Sequence, residues 1–363
     1  MSTIKALLKD VPVEWKALGD VLKIKNGKDY KGFKTGNIPV YGSGGVMSYI
    51  DTFVFNQPSV LIPRKGSLKN LFYVDEPFWT VDTIFWTDIN IEIVNPKFVY
   101  YYLKTQKLEE LNMAGGVPSL TQAVLNKLPF PIPYPNDPEK SLAVQQEIVR
   151  VLDGLSEQNN ALTTALAQEI DQRKKQYAYY REDLFRFEGK EVEWKTLGEV
   201  SYKISSGKNK SKSSNGKYPL FGSTGIIGKT DTLSFTSDKL LVARVGANAG
   251  FVYIASGEYD VSDNALVIEN KEHIAMFYLY YYLTDLNLNR FAKGAGQPLV
   301  TGTFLKEIKI PVPSIQEQER IVHLLDQFDE ATKNIVAQLE KEIELRNKQY
   351  NYYRNHLLTF PKE

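Results

Sequence analysis

At 363 residues, with 43% hydrophobic and 24% charged side chains, the chain has the makeup of ordinary globular protein and room for two or three cores. It has no cysteine, which excludes a disulfide framework and a thiolate metal site. No apolar run approaches a membrane span, and Met1–Asp10 lacks the core of a signal peptide, so a cytoplasmic location is expected. The formal net charge of +1 excludes a uniformly basic coat for nucleic acid, and shifts attention to where the charges sit.

In chain order, the first segment is lysine-rich: Lys5, Lys9, Lys16, Lys23, Lys25, Lys28, Lys31 and Lys34 fall within 30 residues. Short apolar runs at Ser59–Ile62 and Asn70–Val74 predict strands. Asn95-Pro96 supplies an N-cap and a first-turn proline for a helix carrying Phe98, Tyr101 and Tyr102. A short helix is expected near Thr121–Leu128, then an extended exit at Pro131-Ile132-Pro133. The turn-rich stretch Tyr134–Pro138 marks a boundary.

Beyond it, Ile148, Leu152, Leu155, Leu162, Leu166, Ile170, Tyr177 and Leu184 recur at three, four or seven, close to a heptad seam. Ser141 is a candidate N-cap, and Gly154 is a position where this helix would bend. From Ser141 to Phe185 a single helix would span roughly 65 Å.

The chain then repeats itself. Val13-Glu14-Trp15-Lys16-Ala17-Leu18-Gly19-Asp20-Val21 returns as Val192-Glu193-Trp194-Lys195-Thr196-Leu197-Gly198-Glu199-Val200. Pro39–Ser43 returns as Pro219–Ser223, Tyr101-Tyr102-Leu103 as Tyr281-Tyr282-Leu283, and Pro131-Ile132-Pro133 as Pro311-Val312-Pro313. The second copy has its own basic run, with Lys203, Lys208, Lys210, Lys212, Lys217 and Lys229. It also has strand candidates at Leu240–Ala243 and Phe251–Ile254 and a short helix near Thr301–Ile308. Ser314 is the candidate cap of a second long helix. Its seam runs through Ile321, Leu325, Phe328, Ile335, Leu339, Ile343, Tyr350 and Leu357. Asn159 and Thr332 take matching polar slots, where a buried polar residue fixes register. The shift between copies is 180 residues from Lys23/Lys203 to Pro131/Pro311 and 173 at Ile148/Ile321.

A period this long is a duplicated domain plus a duplicated connector, not a solenoid. The expected fold class is α+β. Two α/β domains stand in pseudo-two-fold tandem repeat, joined by two long antiparallel coiled-coil-like helices. The expected division is 1–135, a helical spacer 136–188, 189–313, and a second helical spacer 314–363. Neither helix buries its stripe alone, and duplication of the seam within one chain favours an intramolecular pair. Two basic lobes on a near-neutral frame suit gripping a duplex at two places. Plain solvated loops account for the same charges.

Catalytic signatures fail on inspection. Gly222–Thr230 resembles a phosphate loop, but five residues separate Gly222 from Gly228 where four are required. Gly42-Ser43-Gly44-Gly45 is no dinucleotide fingerprint, since the required last glycine falls on Met47. His273, His323 and His356 are scattered, with no metal pair or catalytic triad, and no Asn-Pro-Pro-Tyr or Asp-Pro-Pro-Tyr run of an amino-methyltransferase is present. The chain is therefore expected to be non-catalytic.

Several features follow one another in the same order in both halves. They are the Val-Glu-Trp-Lys opening, a Gly-Lys loop, Tyr/Phe-Gly-Ser, and an Arg-x-Gly turn (Arg64-Lys65-Gly66, Arg244-Val245-Gly246). Gly116-Val117-Pro118 or Gly296-Gln297-Pro298 comes next, then the Pro-x-Pro exit, then Gln145-Gln146-Glu147-Ile148-Val149 or Gln318-Glu319-Arg320-Ile321-Val322. Across essentially its whole length this arrangement resembles the specificity subunit of type I restriction-modification systems. The resemblance implies target recognition domains, each reading half of a bipartite site on double-stranded DNA. It implies helices that set the gap and dock two methyltransferase subunits. S-adenosylmethionine, ATP and Mg would then belong to the methyltransferase and endonuclease/translocase partners, with no cofactor on this chain. A non-catalytic scaffold or a glycan-binding repeat protein is the alternative.

Base-reading residues do not transfer by motif, so candidates are chosen physically: Lys25, Asn26, Lys28, Arg64, Lys65 and Asn70 in the first copy, and Lys203, Ser206, Lys208, Asn209, Lys210, Arg244 and Asn248 in the second. They are expected in polar loops flanking strands. Arginine suits guanine and asparagine adenine, while lysine more often holds phosphate. Arg64 and Arg244 have a structural alternative, and the tyrosine clusters at Tyr100–Tyr102 and Tyr280–Tyr282 read mostly as core.

Overall fold

The computed structural model describes residues 11–111, 119–189, 191–209, 213, 215–294 and 298–361. Lys5, Lys9, Lys210, Lys212, Gly116-Val117-Pro118 and Gly296-Gln297 lie outside the described residues.

The first domain runs β1 (Val13–Ala17), α1 (Leu18–Val21), β2 (Leu22–Asn26), β3 (Thr35–Gly42), β4 (Gly45–Ile50), β5 (Ser59–Pro63), β6 (Phe72–Val74), β7 (Trp79–Thr80), β8 (Ile84–Ile89), α2 (Pro96–Leu103), α3 (Gln122–Asn126) and β9 (Pro129–Pro133). The long helix α4 (Pro138–Leu184) follows. The second domain runs β10 (Glu193–Thr196), β11 (Ser201–Ser206), β12 (Tyr218–Gly222), β13 (Gly225–Thr230), β14 (Lys239–Ala243), β15 (Val252–Ala255), β16 (Asp260–Val261), β17 (Ala265–Asn270), α5 (Met276–Asp285), α6 (Gly302–Glu307) and β18 (Lys309–Val312). The second long helix is α7 (Ile315–Leu357).

The same three sheets occur in each domain. Strands β2-β8-β5-β6 form an antiparallel sheet matched by β11-β17-β14-β15. Strands β4-β3-β7 form a smaller mixed sheet matched by β13-β12-β16. The third pair ties entry to exit: Trp15 faces Pro131 across β1-β9, and Trp194 faces Pro311 across β10-β18. The proline-flanked exits sit as two-stranded ribbons, where the missing N–H groups cost no ladder bond inside a larger sheet.

Local chemistry explains the helix starts. Asn95 caps α2 through its side chain, which accepts from the Lys97 and Phe98 N–H groups. Thr121 and Thr301 cap α3 and α6 in the same way. Ser314 accepts from the Glu317 N–H at the start of α7. Ser141, by contrast, does not cap α4. The helix begins at Pro138, and Asp137 accepts from Lys140 N–H at 3.0 Å. Proline in the first turn moved the start upstream, and Ser141 is buried one turn inside. The hydrogen-bonded helix continues through Gly154 without a break.

The chain divides into two compact units, residues 1–166 with 341–363, and residues 167–340. Each unit holds one globular domain, the start of the helix that leaves it, and the end of the other long helix. In the first unit, Val144, Ile148, Val149 and Leu152 share a core with Phe98, Tyr102 and Phe130, and Leu357, Leu358 and Phe360 complete it. The Trp15 indole donates to the Pro361 carbonyl at 3.0 Å. In the second, Ile321 and Leu325 share a core with Tyr278 and Leu283, completed by Phe185 and Phe187.

The helix seam is therefore uneven. Ile148, Leu152, Ile321 and Leu325 bury against their own domains rather than in a helix–helix seam. Leu155, Leu166, Ile170, Leu339 and Ile343 are half-buried, and Leu162, Phe328 and Ile335 are 40%, 37% and 37% exposed. Within the first unit Asn159 donates to the Asn347 side chain at 3.0 Å, while in the second Tyr180 stacks on Phe328.

Candidate nucleic-acid interface

In the first domain, the turn Val81–Thr83 between β7 and β8 gathers the segments that carry the candidate residues. Leaving β2, Lys28 donates its N–H to the Thr80 carbonyl at 2.8 Å, and the Trp79 indole donates to the Lys28 carbonyl at 2.9 Å. Gly27 lies so close to the turn that a Cβ would stand 2.0 Å from the Val81 carbonyl oxygen. The Arg64 and Lys65 N–H groups both donate to the Thr83 carbonyl, at 2.9 and 3.2 Å. Lys65 Nζ lies 3.8 Å from the Asp82 carboxylate, an exposed pair of little energetic weight. From the β3–β4 hairpin, the Ser43 N–H donates to Thr83 Oγ1 at 3.3 Å, and Asn70 donates to the Ser43 carbonyl at 3.0 Å.

The second domain builds the same hub on Val261–Asn264. A Cβ on Gly207 would stand 2.2 Å from the Val261 carbonyl oxygen. Arg244 donates its N–H to the Asn264 carbonyl at 2.8 Å and its guanidinium to the Asp263 carbonyl at 3.3 Å. The Ser262 N–H donates to the Phe221 carbonyl, on strand β12 of the matching hairpin, at 2.8 Å. Turns Gly66 and Gly246, at φ 79° and 83°, take the left-handed backbone that glycine tolerates.

These placements sort the candidates. Lys25, Lys28, Lys65, Lys203 and Lys208 are exposed, as are Asn26 and Asn248. Lys25, Asn26, Lys203 and Ser206 stand on strands rather than in loops, with backbones opposite Trp86, Phe85, Glu269 and Leu266. Buried alternate residues such as Leu22 and Ile24 hold those segments in the sheet and leave the lysines outside.

Asn209 spends its amide on Thr230 Oγ1 at 2.9 Å and the Asp260 carboxylate at 2.7 Å. Asn70 is likewise committed to backbone. Arg64 is half-buried, with its guanidinium 5.8 Å from the Phe85 ring centre and a long 3.5 Å approach to the Asp82 carbonyl. Exposed lysines thus accompany a frame that Asn70, Asn209, Arg64 and Arg244 hold in shape.

Sequence reasoning missed two things. One is the hub turn itself, for which the only signal was Val81-Asp82 recurring as Val261-Ser262-Asp263. The other is the apolar hairpin face beside it: Val46, Met47 and Tyr49 are 46%, 58% and 52% exposed, and Ile226 is 63% exposed. Met47 lies over Gly42, where a Cβ would meet its sulfur at 2.5 Å, and Ile227 lies over Gly222 in the same way at 2.7 Å.

A duplicated α/β module, each copy presenting a lysine-rimmed hub and carried by its own long helix, is the architecture of a two-site recognition protein. The chain belongs to the family of the type I restriction modification DNA specificity domain, whose profile matches residues 11–172 and 189–345. It is 33% identical to the type I restriction enzyme EcoR124I/EcoR124II specificity subunit of Escherichia coli, over 100% of this chain and 98% of that one. It is 31% identical to the Escherichia coli EcoprrI specificity subunit, over 92% of each.

Among solved structures, a chain from work on complex assembly and conformational transition of the type I R-M system superposes with a TM-score of 0.76. It shares 18% identity, over 96% of this chain and 98% of that one. The HsdS subunit of Thermoanaerobacter tengcongensis gives 0.53 at 17% identity, over 93% and 96%. At these identities the structural likeness concerns the fold. The kinship selects the DNA-specificity expectation over the scaffold or glycan-binding one.

Proposed function

We propose that this chain is the sequence-reading subunit of a type I restriction-modification complex, each globular domain reading one half of a bipartite site on duplex DNA. The observation that carries the reading is the duplicated hub, with Lys28 and Lys65 exposed beside Val81–Thr83 and Lys208 exposed beside Val261–Asn264, and with Lys25 and Lys203 exposed further along β2 and β11. Lys25, Lys28, Lys65, Lys203 and Lys208 hold phosphates, which fixes register and carries no sequence information. Asn26 and Asn248, exposed at strand and turn ends, read base edges. Arg64, Asn70, Ser206, Asn209 and Arg244 shape the hub. Lys210, outside the described residues, extends the phosphate contacts.

Domains 1–135 and 189–313 are the readers. Spacers 136–188 and 314–363 set the gap and dock two methyltransferase subunits. The chemistry belongs to the partners. S-adenosylmethionine serves adenine methylation on the methyltransferase, while ATP and Mg serve the endonuclease/translocase. No helix among the described residues is long and apolar enough to cross a membrane, and the complex works in the cytoplasm, where its DNA is.

The test is co-expression with the cognate methyltransferase subunit, followed by genome-wide mapping of N6-methyladenine. A split motif with a fixed gap is expected. Absence of any motif from an assembled complex refutes the reading. Replacing Lys208, Lys210 and Lys212 by glutamine should weaken binding to all duplexes alike and lower the salt slope by about 0.9 for each phosphate no longer neutralised. An unchanged slope would show those lysines to be solvated surface.

A further inference from the structure

Each domain is fastened to the helix that leaves it by a glutamine that is wholly enclosed. Gln145 and Gln318 are both 0% exposed and 173 residues apart, the shift of the helical repeat. Gln145 Oε1 accepts from the Asn95 N–H at 2.8 Å, at the cap of α2, and its Nε2 donates to the Ile93 carbonyl and to Ser141 Oγ, each at 3.1 Å. Gln318 Oε1 accepts from the Ala275 N–H at 2.8 Å, at the cap of α5. Its Nε2 donates to the His273 carbonyl at 3.2 Å and the Pro313 carbonyl at 2.9 Å. A primary amide offers one acceptor and two donors, and here all are engaged in fixed directions.

A second fastening lies eight residues further along each helix, on the same face. Asp153 accepts from the Tyr101 hydroxyl at 2.7 Å and from Lys97 Nζ at 2.8 Å. Asp326 accepts from the Tyr281 hydroxyl at 2.5 Å. The two fastenings stand about 12 Å apart along the helix. One point of attachment leaves a pivot, whereas two fix both angle and rotation. Apolar packing between them, by Val149 and Leu152 or by Val322 and Leu325, is non-directional and tolerates sliding. The hydrogen bonds do not.

We infer that Gln145 with Tyr101–Asp153, and Gln318 with Tyr281–Asp326, are positioning residues. They hold each reader at one angle to its helix and so make the gap between half-sites exact to a single base pair. This rests on the DNA-reading function proposed above. Adding one base pair moves a half-site by about 3.4 Å and turns it by roughly 35°. A reader free to pivot follows that movement, while one locked at two points cannot. The fastenings lie on α2, α4, α5 and α7, and none of the hub residues is on those helices, so they govern spacing without choosing bases.

The experiment uses the full chain assembled with its methyltransferase subunit. The substrates are duplexes carrying both half-sites at the native gap or at one base pair more or less. In the Gln145→Met/Gln318→Met variant, preference for the native gap should fall by about tenfold, with base discrimination inside each half-site unchanged. Should that variant not fold, Tyr101→Phe/Tyr281→Phe removes only two hydroxyls and should lower the preference by about threefold.

Gap preference retained in a folded variant overturns the inference. So does a loss of base discrimination in step with gap preference, which marks simple destabilisation. A wild-type complex that methylates no bipartite site removes the proposed function itself. One that does so, with variants unchanged, removes only the positioning role.

Discussion

Gly27 and Gly207 show how closely the hub is packed. Each α-carbon faces a carbonyl oxygen at a distance that excludes any side chain. Gly27→Ala should destabilise its domain by about 1–3 kcal/mol, as overpacking does. It should blur recognition of one half-site while the other stays intact, a pattern read by comparing methylation of sites mutated in each half. Loss of both halves together would show that the domains do not read independently.

The buried tyrosines give a pH signature. Burial raises Tyr102 to about 12, against a smaller lowering by its contact with Gln106, and burial with the nearby Asp285 raises Tyr282 to about 12. Their hydroxyls donate to the Pro129 and Lys309 carbonyls. A raised folded-state value means the stabilisation is complete below pH 10, the ordinary value, and is lost as pH rises toward about 12. Melting temperatures should therefore hold up to about pH 10 and drop above it, and Tyr102→Phe/Tyr282→Phe should flatten that drop. At this scale the lysines were legible as exposed charge. The commitment of Asn209 and Asn70 was not, because an asparagine in a polar loop looks the same whether its amide faces water or Asp260.

At the scale of elements, periodicity located both long helices, and capping chemistry located the starts of α2 and α7. It missed the start of α4, where Pro138 and Asp137 take the role expected of Ser141. The heptad spacing was real, but its ends serve domain cores and its middle stays half-open. Periodicity reports that one face is apolar, not what covers it. Four residues inserted just after Leu166, where the first compact unit ends, would lengthen α4 by about 6 Å and advance its phase about 40° past a full turn. The methylated motif should then keep both half-sites and gain one or two base pairs of gap. An unchanged gap with full activity would mean the helices dock partners without measuring DNA.

At the scale of the whole molecule, each unit is completed by residues remote in sequence. Leu358 and Phe360 enter the core of the first domain, and their repeat counterparts Phe185 and Phe187 enter that of the second. Phe360→Ala, at a site 5% exposed, should cost about 3–5 kcal/mol. The loss should appear as protease sensitivity of residues 11–133, far from the substitution in sequence. Sensitivity confined to the last helix would contradict that packing. Exchange of residues 12–133 for another target domain should change one half of the methylated motif only. A change in both halves would sink the modular reading.

The duplication, the α+β class, the two long helices and the family were determined by the sequence itself. Repeats, apolar periods and caps are local or self-referential signals that survive without coordinates. Tertiary structure alone decided that Val81–Thr83 and Val261–Asn264 are hubs. It alone decided that Gln145 and Gln318 are fastenings, and that each domain's core is finished by the end of the other long helix. Those features depend on which carbonyl or cavity a side chain meets across tens to hundreds of residues, and composition and spacing carry no record of that.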